Sequence, residues 1–392
     1  MKKVPIDFAD SIPTEWECSR LKYHCKITNG SDPKTEGDIP VYGSGSEIVK
    51  YCGEFKNGPA ILIGRKGTLD KPKLVEGKYW NVDTAMDLHP YAHMSSKYLY
   101  YVISCFTIDK YSTCTAKPSM TQGDYYNIPI PVPSNLEQKS IATFLDSKCE
   151  AIDQAIQKQK DIIDKLAEFR QATITQVVTH GVNSDDSIRR FQKNDYIWFD
   201  EIPQNWKTYK LKYITKLSKE KAINKENYIG LENVESKTGK FIGSQVEPDG
   251  DAIIFHQNDV LFGKLRPYLS KSLLMEQEGC CSGEFLVITP KQIVPKYLLY
   301  ITLSKAFVEH VNSSTYGAKM PRSNWEFVRN MIIPLPTESE QKEIISYLDK
   351  KLASIDNVIE STNTIIQKLE EYKKSLIYNA VTGKIDCRGE VK

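Results

Sequence analysis

The chain is written twice, and this constrains its fold more than any other feature. Ile12-Pro13-Thr14-Glu15-Trp16 followed by Leu21-Lys22-Tyr23 returns 190 positions later as Ile202-Pro203-Gln204-Asn205-Trp206 and Leu211-Lys212-Tyr213. Ile63-Gly64-Arg65-Lys66 faces Phe262-Gly263-Lys264-Leu265, and Lys97-Tyr98-Leu99 faces Lys296-Tyr297-Leu298, both at a shift of 199. Pro131-Val132-Pro133 and Glu137-Gln138-Lys139 recur as Pro334-Leu335-Pro336 and Glu340-Gln341-Lys342 at a shift of 203. A growing shift with the order of parts kept means that insertions sit in the second copy's loops. Two copies of one large unit are expected.

Each copy reads as a globular part followed by a long helix. The globular parts span 1–133 and 182–336, and the helical parts 134–181 and 337–392. Ala60-Ile61-Leu62-Ile63 stops at Gly64, Asp259-Val260-Leu261-Phe262 at Gly263, and Phe285-Leu286-Val287-Ile288 before Pro290. Short β-branched and aromatic runs bounded by Gly and Pro predict strands of a mixed domain. Helical turns are expected over Lys97–Phe106 and Lys296–Val311.

In the helical part of copy one, Ile141, Leu145, Cys149, Ile152, Ile156, Gln159, Ile163 and Leu166 step by threes and fours. Ile344, Leu348, Leu352, Ile355, Ile359, Thr362, Ile366 and Leu369 repeat the steps in copy two. A sustained 3.5-residue spacing keeps one apolar stripe turned toward a partner helix, the seam of a coiled coil. Ser134-Asn135-Leu136-Glu137 and Thr337-Glu338-Ser339-Glu340 fit capping boxes that start the helices, and Gly181 and Gly383 fit their ends. The fold class expected is therefore α+β: two mixed α/β domains and two long coiled-coil helices in a pseudo-twofold repeat.

Composition excludes several classes. The 392 residues are 40% hydrophobic and hold 52 basic against 50 acidic side chains. No apolar run reaches the ~18 residues of a membrane span, and the lysines at the start lead into no apolar leader segment. Nine cysteines without a Cys-x-x-Cys pair fit reduced thiols in a cytoplasmic protein. A net charge of +2 neither demands nor excludes nucleic acid, because a basic face can hide in a balanced total.

A search for catalytic machinery finds none. Gly64-Arg65-Lys66-Gly67-Thr68 is too short for a phosphate loop, and Gly43-Ser44-Gly45 lacks the third glycine of a dinucleotide fingerprint and reads as a turn. Pro90 separates His89 from His93, so the pair is not aligned on one helix for a metal, and no metal site is expected. Vicinal Cys280-Cys281 is a poor chelator. The Glu-x-Lys triplets at Glu54, Glu137 and Glu340 suggest a nuclease core only weakly, since two of them are capping boxes.

What remains is a set of cations in Gly- and Pro-bounded positions: Arg65, Lys66, Lys71, Lys73 and Lys117 in copy one, and Lys264, Arg266, Lys319 and Arg322 in copy two. Lys117, Lys319 and Arg322 are read as lying just upstream of each copy's final strand. Cations on loops held by a scaffold can neutralise phosphates or read guanine edges, or they are ordinary surface charges.

The whole constellation resembles the specificity subunits of type I restriction–modification enzymes. The likeness rests on Ile12-Pro13…Trp16 and Ile202-Pro203…Trp206, on Phe262-Gly263-Lys264-Leu265-Arg266-Pro267-Tyr268, and on Ile130-Pro131-Val132-Pro133…Glu137-Gln138-Lys139-Ser140-Ile141. Phe144-Leu145-Asp146, Leu348-Asp349 and Ala380-Val381-Thr382-Gly383 complete it. The resemblance implies two target-recognition domains, each reading half of a bipartite asymmetric site in double-stranded DNA. It implies antiparallel helices acting as a ruler, two methyltransferase subunits docked on the chain, and restriction subunits joining them. The chain itself would be non-catalytic and hold no cofactor, with S-adenosylmethionine, ATP and Mg bound only by the partners. No Asn- or Asp-Pro-Pro-Tyr/Phe methyltransferase tetrapeptide is present. Three other readings stay open: a specificity subunit of a related enzyme that cuts on both sides of its site, a self-contained enzyme, and a coiled-coil scaffold that binds no DNA.

Overall fold

The computed structural model describes residues 1–45, 47–106, 108, 118–182, 191–193, 198–223, 225, 227–243, 250–317 and 319–387. It divides into two compact units, Met1–Gln159 with Asn363–Lys392, and Lys160–Thr362. Two long helices, Asn135–His180 and Glu338–Val381, each contribute their first half to one unit and their second half to the other. Among the described residues no helix is long and apolar enough to cross a membrane.

In unit 1 the central sheet has the order Cys25–Asn29, Ala85–Pro90, Ala60–Gly64, Lys73–Val75, all antiparallel. Unit 2 repeats it as Thr215–Ser218, Phe285–Pro290, Val260–Gly263, Ser272–Leu274. Pro290 closes the last residue of its strand rather than following it. A second layer covers each sheet. In unit 1 it is a mixed sheet ordered Ile48–Cys52, Ile39–Tyr42, Lys78–Asn81, Lys56–Asn57; in unit 2 it is Tyr228–Ile229, Gly279–Ser282, Ala252–Phe255. Cys280 and Cys281 lie inside the middle strand of that last sheet.

The helix expected over Lys97–Phe106 runs Ser96–Ile103. Its counterpart is not one helix but two, Pro295–Leu303 and Lys305–Ser313. Ser304 between them is extended (φ −65°, ψ 137°) and its hydroxyl donates to the Ile301 carbonyl, so a side chain ends the first helix where neither Gly nor Pro announces a break.

The joint between domain and helix is built twice from equivalent residues. Ser134 and Glu137 form the reciprocal capping box, and Thr337 Oγ1 accepts from Glu340 N. Gln138 is buried; its Oε1 accepts from Ser95 N at 2.8 Å and its Nε2 donates to Pro133 O at 3.0 Å. Gln341 does the same with Val294 N and Pro336 O. Tyr98 OH reaches both Pro131 O (3.1 Å) and Val381 O (3.5 Å), and Tyr297 OH reaches Pro334 O (3.2 Å) and Val178 O (3.1 Å). Lys97 pairs with Asp146 and Lys296 with Asp349.

Within unit 1, Val381 stands beside Pro131 while Lys373 pairs with Asp153 at 2.6 Å, so the two helix segments run antiparallel. Arg170 with Asp356 is the corresponding pair in unit 2. Of the seam, Leu145, Ile152, Ile156, Leu348, Leu352 and Ile355 are buried, while Ile163, Leu166, Ile359, Ile366 and Leu369 are half-buried. Burial then returns in the last turns, at Ile174, Val177 and Val178 and at Ile377, Ala380 and Val381. Gly181 (φ +82°) and Gly383 (φ +67°) end both helices in the left-handed conformation that glycine adopts without strain.

Candidate nucleic-acid interface

The strand Ala60–Gly64 delivers the turn that carries Arg65 and Lys66. Arg65 N donates to Thr84 O (2.8 Å), and Met120 N donates back to Arg65 O (3.0 Å). Gly67 N donates to Pro118 O (2.9 Å), and Lys66 bridges to Ser119. Unit 2 repeats the clamp: Lys264 N to Glu284 O (2.9 Å), Ser323 N to Lys264 O (2.9 Å), Arg266 N to Pro321 O (2.7 Å), with Leu265 bridging to Arg322. The chain thus brings residues 65–67 against 118–120, and residues 264–266 against 321–323. A backbone clamped on both sides leaves little conformational entropy to lose when its side chains bind.

The side chains of these loops differ between the units. Arg65 is half-buried, with Nη1 donating to Asp83 O at 3.3 Å, whereas Lys66 and Lys71 are exposed. Lys73 is half-buried, its Nζ 4.6 Å from the centre of the Tyr42 ring. In unit 2, Lys264 is half-buried and Arg266 and Lys319 are exposed. Arg322 makes a two-point contact with Glu284, Nε to Oε2 at 3.1 Å and Nη2 to Oε1 at 3.2 Å. Its guanidinium ties Arg322, which bridges to Tyr316, to the turn just before the Phe285–Pro290 strand. Lys117 lies outside the described residues. The position read as just upstream of the final strand is separated from it by a short helix in each unit, Gln122–Asn127 and Trp325–Val328.

Arg266 holds φ +50° where the equivalent position in unit 1 is Gly67 at φ +89°. An L-residue there costs roughly 1–2 kcal/mol, so the arginine is kept at a position whose backbone favours glycine. Exposed Tyr268, Tyr316 and Met320 surround this loop. In the sequence Tyr268 stands out only as the end of the Phe262–Tyr268 motif, and Tyr316 and Met320 carry no periodic signal. Cations interleaved with aromatic faces can bind phosphate and stack on bases.

The remaining chemical candidates resolve into structural roles. The Glu54 carboxylate accepts from Thr35 Oγ1, Lys34 N and Thr35 N, and these bonds hold its pKa down to about 2. Lys56 of the same triplet turns away to Asp87 (2.7 Å) and Asn81 (2.8 Å). His89 bonds Asp87, whereas His93 bonds His24 at 3.0 Å. None of the eight cysteines among the described residues is in a disulfide, and burial pushes the thiols of Cys25 and Cys105 up to about 12, far from the thiolate form of a nucleophile. Among the described residues, no three His, Cys, Asp or Glu side chains converge to hold a metal.

Comparison with known proteins follows the same repeat. The family model described as "Type I restriction modification DNA specificity domain" matches residues 13–173 and again 203–371. The chain is similar to the type I restriction enzyme EcoDI specificity subunit of Escherichia coli, 22% identical, with 97% of this chain and 91% of that one covered. It is also similar to the MjaVIII specificity subunit of Methanocaldococcus jannaschii, 25% identical, with coverage of 95% and 94%. Among solved structures, a chain from a study of complex assembly and conformational transition of the type I R-M system shares the fold. That match has a TM-score of 0.71 at 15% identity and covers 96% of this chain and all of that one.

Proposed function

The chain belongs to the family of the type I restriction modification DNA specificity domain, and from that premise we propose that it reads a bipartite, asymmetric site in double-stranded DNA, one half-site per unit. The observation that carries this reading is the clamped cationic loop, present once in each unit on equivalent backbone bonds but with different side chains. An equivalent scaffold presents each loop alike, and unlike side chains select unlike half-sites. Phosphate contacts from exposed Lys66, Lys71 and Lys319 position the duplex, and Arg266 reads a base edge.

The two long helices set the spacing between half-sites and, with the duplicated domain–helix joints, offer two equivalent docking places for methyltransferase subunits. Restriction subunits join that assembly. In this reading the chain supplies specificity and no chemistry: S-adenosylmethionine, ATP and Mg belong to the partners, and the complex works in the cytoplasm, where its DNA is.

The test is methyl transfer from S-adenosylmethionine to duplex DNA by the purified chain, by a methyltransferase subunit, and by their mixture. Site-specific adenine methylation by the mixture alone is expected, at two methyltransferase subunits per chain. Methylation by the chain alone would overturn the proposal.

A further inference from the structure

The antiparallel strands Ile39–Tyr42 and Ile48–Cys52 form a ribbon at the edge of unit 1's second sheet. Four consecutive residues of its outer strand, Ile48, Val49, Lys50 and Tyr51, are exposed, three of them large and apolar. A strand covering a core buries alternate residues; this one buries only Cys52. Pairing runs Val41 to Lys50 and Tyr42 to Ile48, which leaves Val49 as an unpaired bulge residue. Bulges bend a strand and re-aim its side chains, often beside functional sites.

The ribbon is contiguous with the cationic loop. A β-carbon built on Gly67 would stand 3.5 Å from Ser44 Oγ, and one on Gly45 would stand 4.0 Å from Thr68 Oγ1. The Gly43-Ser44-Gly45 turn therefore lies against the turn holding Arg65 and Lys66. The ribbon also falls where the two copies diverge. Cys25–Asn29 corresponds to Thr215–Ser218 at a shift of 190, and Gly64 to Gly263 at 199, so nine residues are gained between those strands. The sheet strands keep their pairing while the segment between them changes. That is expected of an element that must fit a different half-site.

Resting on the DNA-specificity reading above, we propose that this ribbon is the element through which unit 1 enters a groove of its half-site. Val49 and Tyr51 contact base edges, and Lys50 contacts the DNA backbone. A two-stranded ribbon fits the major groove, where apolar side chains distinguish the thymine methyl. Lys50, Lys66 and Lys71 supply the positive charge that a duplex requires beside those apolar groups.

The experiment selects preferred sites from a random duplex library with the methyltransferase complex of the wild-type chain, of the Val49→Ser/Tyr51→Ser variant and of Lys50→Gln. All three side chains are exposed, so each substitution should cost little stability. The double variant should lose about tenfold discrimination at one or two positions of one half-site, with the other half unchanged. Lys50→Gln should weaken every sequence alike and reduce the salt slope by about one. Unchanged preferences in the double variant would overturn the ribbon's role. So would loss of methyltransferase binding by the purified double-variant chain, since the occupant of the ribbon would then be a protein. A wild-type complex that selects no sequence would overturn the specificity reading itself, and the ribbon proposal with it.

Discussion

At residue scale, two equivalent positions hold different chemistry in the two units. Gly67 in unit 1 corresponds to Arg266 in unit 2, both left-handed and both donating to the proline of the neighbouring loop. Arg266→Gly should remove the backbone strain and raise stability by about 1 kcal/mol, measured by denaturant unfolding. The same change should weaken binding and relax one half-site only. Equal loss at both half-sites would contradict the assignment. Asp87 pairs across the sheet with Leu62 and Thr28, while Val287 pairs with Leu261 and Ser218 at the same place. Unit 1 thus holds a buried ionic cluster where unit 2 is apolar. Burial opposes Asp87's charge, yet hydrogen bonds from His89 and Lys56, the Lys56 charge and the Thr28 hydroxyl outweigh it and hold its carboxyl well below the usual carboxylate range. Because the folded value lies below the unfolded ~3.9, the stabilisation is present above about pH 5 and is lost as pH falls from there. Hydrogen exchange between pH 6 and 3 should therefore show Ala85–Pro90 losing protection before Phe285–Pro290. Asp87→Asn should abolish that difference and cost roughly 3 kcal/mol at pH 7, since it strands partly buried Lys56.

At element scale, what was local in sequence was legible. The capping residues, the heptad steps and the strands stopped by Gly64 and Gly263 all depend on neighbours a few positions away, and the elements form there. The break at Ser304 was not legible, because a serine inside an apolar helical run ends a helix only when its hydroxyl finds the preceding turn. The reburial of Ile174, Val177 and Val178 was missed because the partner surface comes from residues more than a hundred positions away in the chain, such as Tyr297. Tyr98 and Tyr297 make that long-range joint, each linking its domain's final strand to the end of the other copy's helix. Tyr98→Phe and Tyr297→Phe should each cost about 1–3 kcal/mol, since buried carbonyls lose a donor. The two losses should be similar, as equivalent joints require. A cost confined to one of them would show that the joints are not equivalent. Of the candidate DNA contacts, the loop positions were legible from Gly and Pro, but the use of Arg322 on Glu284 and the exposed ribbon were not. Both depend on strand neighbours that the sequence does not order.

At the scale of the whole molecule, the repeat explains why one chain carries two units with matched joints and unmatched loops. In the function proposed above, the long helices set the number of base pairs between the two half-sites. One heptad inserted after Ile156 and another after Ile359 lengthens each helix by roughly 10 Å, at ~1.5 Å per residue. That is about three base pairs at ~3.4 Å each, but three pairs also rotate the second half-site about a third of a turn, at ~10 pairs per turn. A single insertion should therefore impair binding, and a spacer three pairs longer should not fully restore it. Three heptads add roughly 32 Å, close to one ~34 Å turn of DNA. Site selection from a random-spacer library, with methyltransferase subunits present, measures this directly. On that proposal, the three-heptad variant should select the same two half-sequences with a spacer about nine or ten pairs longer. A spacer unchanged by the insertions would contradict it.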